Sequence, residues 1–452
     1  MLNLMFLHKQ LKRLFWRRRQ IWLALLCACS LNGLYAAPVL KSGGLTLPIE
    51  TPRADAASPA QQALGKGFQA LHKRDFKAAD AFFKQAAQAD KASTAPLLAL
   101  AESARVQGDA KAAQVWLQKA VQLKPKDPPT LRALAHWHYA HAEYDKAEKY
   151  WRSAIEVDPQ WPALKVDLAD FQFNVRQDLL KAAELYQEAL ALDPGMAGAQ
   201  YALGMVYLKQ GRGVDAIARF TESERLSPGN ALPMSGHAKA LVLRGQTEQA
   251  LQMLDRALSA PGSSFSVRID KGELLLSMGR AQEALTEFMQ VAKAHPKVVE
   301  AQVGMGLAQH QLNQLDAAFQ SYRAALQLDP THALALNNAA WLASQRQDVP
   351  DKGLAWAQKA VSLAPQDLRL QRTLAWVRHR RGESVLALKS LQDLSKPDKL
   401  SAAETQYMVG MVLTDLGRSE EAAAAFREAL RQAPEFSQAA DARNRLRKLQ
   451  GG

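Results

Sequence analysis

The sequence contains almost no cysteine. Its two cysteines, Cys27 and Cys29, both lie within the first 30 residues, so the rest of the chain has no thiol for a disulfide, a metal site or a nucleophile. The sequence also lacks a glycine-rich phosphate loop, the HExxH pattern of zinc enzymes and the GxSxG pattern of serine hydrolases. We therefore expect no catalytic residues, no cofactor, no bound metal and no small-molecule substrate.

Acidic residues are missing from the start of the chain, where none precedes Glu50. The apolar stretch IWLALLCACSL at 21–31 is shorter than the roughly 20 residues that span a bilayer. A basic segment followed by a short apolar run and then small residues is typical of an export signal, and we interpret the first 36 residues as one. The basic residues before the run are Lys9, Lys12, Arg13, Arg17, Arg18 and Arg19.

Processing of this signal has three alternatives. The sequence Leu-Cys-Ala-Cys at 26–29 resembles the lipobox of bacterial lipoproteins, which implies lipidation of Cys29 and an outer-membrane lipoprotein, since Ser30 permits that sorting. Ordinary signal peptidase would instead cut near Ala36 or Ala37 and release a soluble periplasmic protein, and the third alternative is an uncleaved anchor. Residues 1–29 are the signal in the first case, and 30–58, rich in Gly, Pro, Ser and Ala, would form a flexible tether.

A nucleic-acid partner is not indicated by the formal net charge of +13. Six of the positive charges lie before residue 20, and the others are spread along the chain without a basic run. The array also has no aromatic platform of the kind that stacks on single strands. We expect no nucleic-acid binding, and membrane contact only through the N-terminal lipid or signal.

The stretch at 199–228 shows how the rest of the chain is organised. Small and large apolar residues alternate at helical spacing, a glycine interrupts the pattern, and a proline ends it, which predicts two helices packed as a hairpin. A single hairpin cannot bury its own apolar face and needs neighbours on both sides. Its markers are Leu203, Gly204 and Tyr207 in the first helix, Gly211 at the turn, Ala216 and Phe220 in the second helix, and Pro228 after it.

Copies of this pattern recur at intervals of 32 to 37 residues. The closing prolines are Pro125, Pro159, Pro194, Pro228, Pro261, Pro296, Pro330, Pro365, Pro397 and Pro434. The alanines predicted between the helices are Ala79, Ala113, Ala147, Ala182, Ala216, Ala284, Ala318 and Ala422. The large residues are Phe83, Leu117, Trp151, Tyr186, Phe220, Phe288, Tyr322 and Phe426, and the first-helix glycines are Gly67, Gly204, Gly272, Gly306 and Gly410.

Two copies depart from the pattern. The copy ending at Pro261 reads as shifted by one residue, and the copy ending at Pro397 reads as lacking the alanine between its helices. Both places are expected to bend or loosen the array.

A period of 34 with this order of small, aromatic and proline positions resembles the tetratricopeptide repeat family. The resemblance implies an all-α fold, a right-handed α-solenoid of about eleven helical hairpins at residues 59–449. The final segment DARNRLRKLQ would cap the last hairpin. Members of the family bind proteins or peptides in a groove lined by their first helices.

Aligning the copies on their small residue predicts which first-helix side chains face this groove. Aromatic, Met and Arg side chains dominate protein-binding hot spots. For each Trp and Met, the alternative is ordinary core between helices. The pair Asn337 and Asn338 resembles asparagines that hold a peptide backbone in some members, but it occurs in one copy only. The candidate protein-binding residues are Tyr201, Met205, Asn337, Trp341, Arg372, Trp376, His379, Arg380, Tyr407 and Met411.

The clustered histidines His136, His138 and His141 lack an obvious acidic partner, and we interpret them as part of an exposed helix and not as a metal site. We expect a non-enzymatic scaffold that binds proteins of a bacterial cell-envelope complex. Resemblance alone suggests exopolysaccharide export or type IV pilus and secretin assembly. An accessory subunit of an envelope enzyme and a cytoplasmic adaptor are the alternatives.

Overall fold

The described part of the chain consists of helices and short turns. The computed structural model describes residues 58–346, 350–394 and 399–450. The export signal, Cys29, Pro397 and nearly all of the tether lie outside these residues. The chain divides into two compact units, with the boundary between Ser263 and Ser264. None of the helices in the described ranges is both long and apolar enough to cross a membrane.

Between residues 58 and 263, unit 1 contains six hairpins, in which each odd-numbered helix is the first and each even-numbered helix the second. The helices are α1 (Pro59–His72), α2 (Phe76–Ala89), α3 (Ala95–Val106), α4 (Ala110–Leu123), α5 (Pro128–Ala140), α6 (Tyr144–Val157), α7 (Pro162–Phe171), α8 (Leu179–Leu192), α9 (Ala197–Lys209), α10 (Gly213–Leu226), α11 (Ala231–Leu243) and α12 (Thr247–Ser259).

The described residues of unit 2 form five hairpins and a final single helix. Its helices are α13 (Phe265–Ser277), α14 (Ala281–Ala294), α15 (Val299–Gln311), α16 (Leu315–Leu328), α17 (Ala333–Ala343), α18 (Pro350–Leu363), α19 (Leu368–Arg380), α20 (Ser384–Asp393), α21 (Lys399–Asp415), α22 (Ser419–Gln432) and α23 (Ala439–Gln450). The all-α fold class and the predicted number of hairpins are confirmed, and the final segment forms the helix α23.

The turns follow the sequence signals. α9 ends at Lys209, and Gly211 follows with a φ of 75°, a left-handed conformation that glycine adopts without steric cost. The second helix then begins with the same backbone bond in hairpin after hairpin. In this one, the N–H of Ala216 donates to the carbonyl of Arg212 at 3.0 Å. The alanine is therefore held one turn inside the second helix.

The core is built from layers in which a large second-helix side chain lies between small first-helix residues. All the predicted inter-helix alanines are at most 1% exposed, and the rings of Phe220, Phe288 and Tyr322 are fully buried. A Cβ added at Gly204 would lie 2.7 Å from the Phe220 ring, and one at Gly236 of the next hairpin 2.6 Å from the same ring. Glycine is thus required on both sides of that ring.

The two irregular copies both keep a buried alanine between their helices, which corrects the interpretation that the copy ending at Pro397 lacks one. Ala387 occupies the alanine position of α20, is fully buried, and donates its N–H to Glu383 at 3.0 Å. In α12, Ala250 keeps the position and is also fully buried. Only Pro261 is shifted relative to the repeat pattern, because α12 ends one residue earlier than most second helices. Leu254 replaces the usual aromatic ring there.

Hairpin four contains one extra residue. Its first helix, α7, continues into a π-helical turn, Gln172–Arg176, before α8 begins. A π-helical turn holds one more residue than an α-helical turn, so the insertion leaves both helices in their usual packing. Gln172 in this turn donates to Glu148 of α6 at 3.1 Å.

Candidate partner-binding surface

Aromatic side chains from neighbouring first helices of unit 2 meet on one face. Trp341 of α17 and Trp376 of α19 are 35 positions apart, and their rings stack with centroids 5.6 Å apart and planes inclined by 24°. Both rings pack against the hydrophobic cluster that also receives Tyr407 and Met411 of α21. The structure therefore brings together these four predicted residues.

Two polar atoms beside the tryptophans are buried and unpaired. Asn337 donates its side-chain N–H to Asn338 at 3.2 Å. Within the described part of the chain, the Oδ1 of Asn337 and the indole N–H of Trp376 have no hydrogen-bond partner. Buried polar groups are normally paired, because losing water without replacement costs about 1–3 kcal/mol. One acceptor and one donor are thus left without a partner.

The arginines of α19 differ in availability. Arg372 forms an ion pair with Glu404 at 2.8 Å, and only 11% of its side chain is exposed. Arg380 is exposed, and its Nε donates to the backbone oxygen of Ser344 at 3.4 Å. Arg380 is therefore the more accessible cation of the two.

Tyr407 uses its hydroxyl group internally. The hydroxyl donates to Asp441 of α23 at 2.6 Å. Burial and this hydrogen bond raise the pKa of Tyr407 to about 12. Its ring contacts Phe426 and Phe436, with each centroid 5.9 Å away. Only part of the ring remains for a partner.

The expectation of an open, groove-facing position is wrong for two residues. Met205 is 8% exposed and lies in a core cluster to which helices α7 to α11 contribute. His379 is 6% exposed; its Nε2 lies 3.0 Å from Asp415 and its Nδ1 3.0 Å from Ser384. Packing against the adjacent helix hides both side chains. Tyr201 is partly buried, with its ring 5.8 Å from that of Phe220, and it belongs to unit 1 with Met205.

A charged cluster in unit 1 was not predicted from the sequence. Arg132 of α5 donates to the Oδ2 of Asp167 at 2.5 Å, and His136 lies 3.1 Å from the same atom. Burial opposes ionisation of Asp167, but the hydrogen bonds from His136 and Arg132 lower its pKa. The sequence does show Arg132 and His136 one helical turn apart. It does not show their acidic partner, because Asp167 lies 31 residues after His136.

One carboxylate of this cluster has the opposite behaviour. Asp170 accepts a hydrogen bond from the hydroxyl of Tyr186. Burial, with a contribution from Asp167, raises the pKa of Asp170 to about 6. The two neighbouring carboxylates therefore have pKa values displaced in opposite directions.

The three clustered histidines have separate partners. His136 contacts Asp167, His138 contacts Glu143 at 2.5 Å, and the ring nitrogen of His141 lies 2.8 Å from the Trp137 carbonyl. Across the residues that the structure describes, no group of three or more His, Cys, Asp or Glu side chains is arranged to hold a metal ion.

Comparison with known proteins identifies the family. Tetratricopeptide repeat models match residues 94–119, 132–197, 175–231, 236–297, 269–333 and 403–436, which together exceed half of the chain. The chain belongs to the tetratricopeptide repeat family. Its helical hairpins, small and aromatic layers and turn glycines are those of this class.

Individual relatives are distant. The human protein O-mannosyl-transferase TMTC1 is 28% identical over 183 residues, which are 38% of this chain and 20% of that protein. The peroxisomal targeting signal receptor of Kluyveromyces lactis is 25% identical over 44% of this chain and 35% of its own. The structure of yeast Tom70 is similar over 86% of this chain and 95% of that chain, with 15% identity and a TM-score of 0.40. The chain spans about a third or less of the two curated relatives.

Proposed function

We propose that this protein is a non-enzymatic scaffold that binds partner proteins on the first-helix surface of unit 2. The observation that carries the proposal is the stacked pair of Trp341 and Trp376 beside unpaired buried polar atoms. Tryptophan and arginine are the side chains most enriched in binding hot spots. Arg380 adds an accessible cation at the edge of the pair.

The chemistry of the surface fits a peptide group. The indole N–H of Trp376 lacks an acceptor and the Oδ1 of Asn337 lacks a donor, and both atoms are buried. A backbone peptide group would supply both once side-chain movement on binding exposes them. The flat rings supply apolar contact, and Arg380 favours an acidic residue nearby in the partner. A partner segment with an apolar side chain and a flanking carboxylate would use all these groups.

We place the scaffold in a bacterial cell-envelope assembly or export machine, of the exopolysaccharide export or type IV pilus and secretin type. Support comes from the basic and apolar residues at 1–36 and from the resemblance of 26–29 to a lipobox. A lipid on Cys29 would hold the protein at the outer membrane, whereas cleavage near Ala36 would leave it soluble in the periplasm.

Site-specific crosslinking tests the surface. A photoreactive amino acid replaces Arg380 in one variant and Lys389, an exposed cation of α20, in the control. We expect a protein crosslinked from position 380 in intact cells and none from 389. The identified partner should then bind the Trp376→Phe variant about ten-fold more weakly, because phenylalanine lacks the N–H. Equal crosslinking from both positions would contradict the proposed surface.

The location is tested by intact mass and fractionation. We expect the native mature chain to begin at Cys29, to carry acyl mass and to sediment with the outer membrane, and the Cys29→Ala variant to lose both properties. A clean cut near Ala36 would instead show a soluble periplasmic scaffold. An unprocessed chain in the cytosol would overturn the envelope assignment.

A further inference from the structure

Unit 1 contains a cleft between three of its helices. It has a volume of about 360 Å³ and is formed by α4, α5 and α6, which lies within the size range of ligand sites. On α5, Trp137 and His138 line it, whereas Arg132 and His136 of the charged cluster do not. Residues two apart on a helix point in different directions, so His136 and His138 serve different surfaces. We call this feature the glutamine cleft.

One wall of the glutamine cleft is a row of amides. Gln114, Gln118 and Gln122 follow one another at four-residue spacing on α4 and are all exposed. A rise of about 1.5 Å per residue puts successive amides about 6 Å apart on one face. In the described ranges, no hydrogen bond or other polar contact engages these three amide groups, so all their donors and acceptors are available.

The opposite wall is aromatic. The His138 ring lies parallel to the Tyr150 ring, with centroids 5.2 Å apart and an interplanar angle of 8°. The Nδ1 of His138 lies 2.5 Å from the carboxylate of Glu143. Trp137 extends this wall, and His141 packs on it with ring centroids 4.1 Å apart. The result is an aromatic wall in which the His138 ring is oriented by its hydrogen bond to Glu143 and its stacking on Tyr150.

Charge is missing from the lining. Among the residues that the structure describes, no Asp, Glu, Lys or Arg lines the glutamine cleft, and its floor includes the buried Leu117. A charged ligand would lose water there without meeting a counter-charge, which is costly. The ligand that fits is therefore uncharged, with polar groups along one edge and apolar groups on a face.

We infer that the glutamine cleft binds an extended, uncharged segment of another polypeptide by its backbone. Along one edge of an extended chain, every second residue presents its N–H and C=O together, about 6.6 Å apart. A glutamine amide both donates and accepts, so Gln114, Gln118 and Gln122 match three alternate residues. Side chains on one face of the segment then lie against the rings of His138 and Tyr150. This site is independent of the unit 2 surface.

Spacing favours a peptide over a neutral sugar chain. Hydroxyl groups could also pair with the amides and a sugar ring could cover the aromatic wall. However, the repeated pairing of one donor with one acceptor at about 6 Å matches the backbone of an extended strand directly. A sugar ligand would be recognised by oligosaccharide binding at Gln118 in place of peptide binding.

The test uses the full-length protein and a library of blocked heptapeptides built only from Ser, Thr, Val, Ile and Tyr. Binding is measured by fluorescence anisotropy. We expect members of the library to bind, and Gln118→Leu to weaken the tightest one about ten-fold, since one donor and one acceptor are lost. The matched control is Gln85→Leu, at an exposed glutamine of α2 outside the cleft, which should bind as the native protein does. Circular dichroism should show both variants folded.

A second probe separates backbone from side-chain recognition. Methylation of the backbone nitrogen at alternate residues of the tightest peptide removes the donors of one edge, and we expect binding to be lost when that edge faces the glutamines. The inference is overturned if no library member binds, if Gln118→Leu and Gln85→Leu behave alike, or if maltohexaose, cellohexaose or chitohexaose binds at Gln118 in place of the peptides.

Discussion

The ring of Phe220 shows how closely residue identity is specified in the layers. Gly204 and Gly236 contact it from opposite sides, and neither has room for a Cβ. We expect Gly204→Ala to lower the free energy of unfolding by about 1–3 kcal/mol through overpacking. Urea denaturation followed by circular dichroism measures the change as a shift of midpoint.

The same helix supplies the control. Gly198 also lies in α9, but a Cβ there meets no atom within 4 Å. Gly198→Ala should raise stability by about 0.5 kcal/mol, because alanine restricts the unfolded chain and favours helix. Equal effects of the two substitutions would show that helix propensity, and not the Phe220 contact, governs position 204.

Asp170 predicts a pH-dependent stability difference. Its pKa of about 6 in the folded protein exceeds the ordinary value of 3.8, so the folded state binds the proton more tightly than the unfolded chain. Its contribution is fully favourable below pH 4 and is lost as the pH rises through 6. Asp170→Asn, which keeps an acceptor for Tyr186, should therefore stabilise the protein at pH 7.5 by about 3 kcal/mol at most, and not at pH 4.

Urea midpoints of the native protein and Asp170→Asn at both pH values measure this difference. The titratable groups that act on the Asp170 carboxyl group are Asp167, His136 and Tyr186. Tyr186→Phe is the control, because it removes the hydroxyl group and keeps the carboxyl group of Asp170. It should leave a pH dependence of the same sign. A gain for Asp170→Asn that is equal at pH 4 and pH 7.5 would contradict the raised pKa.

The sequence predicted small and aromatic layer residues well, because steric demand repeats at a fixed interval. Gly204, Gly272 and Gly306 were identified in this way, and each proves to face a ring. Gly236 was missed because it lies two positions before the small-residue position of its own hairpin. The ring that it contacts belongs to the preceding hairpin. Exposure was harder to predict: His379 occupies a groove-facing register but is buried by contacts with Asp415 and Ser384.

Second helices differ in whether a side chain caps the backbone N–H groups of their first turn. Asp109 precedes α4 and accepts a hydrogen bond from the N–H of Ala112 at 2.9 Å, whereas Gln246 precedes α12 without such a bond. We expect Asp109→Ala to destabilise unit 1 by about 1 kcal/mol and Gln246→Ala to have little effect. Thermal unfolding gives the Tm of both variants. Equal shifts in Tm would contradict a stabilising role for the Asp109 cap.

The π-helical turn shows what repeat spacing leaves undetermined. An interval of 35 residues signals one extra residue in hairpin four, but not where it is accommodated. In the structure it lies at Gln172–Arg176, where Gln172 and Arg176 both donate to Glu148 of α6. Bonds to a helix of the preceding hairpin favour this position, and periodicity along one helix contains no information about them.

At the scale of the whole chain, the helical hairpins divide into two compact units, with the boundary between Ser263 and Ser264. Each unit has its own buried clusters, with Phe220 in one of unit 1 and Phe426 in one of unit 2. We expect residues 58–263 and 264–452, expressed separately, each to be helical and to unfold cooperatively. Circular dichroism on heating tests this. A fragment that is unfolded alone would show that its clusters are insufficient.

The layer around Phe220 also bears on how the protein is made. Its two glycines, Gly204 and Gly236, lie only sixteen residues before and after it in the sequence. Each layer is complete as soon as the first helix of the following hairpin leaves the ribosome. It needs no segment that is distant in the sequence. A nascent chain of this kind leaves about one hairpin's apolar face open at a time, however many hairpins follow.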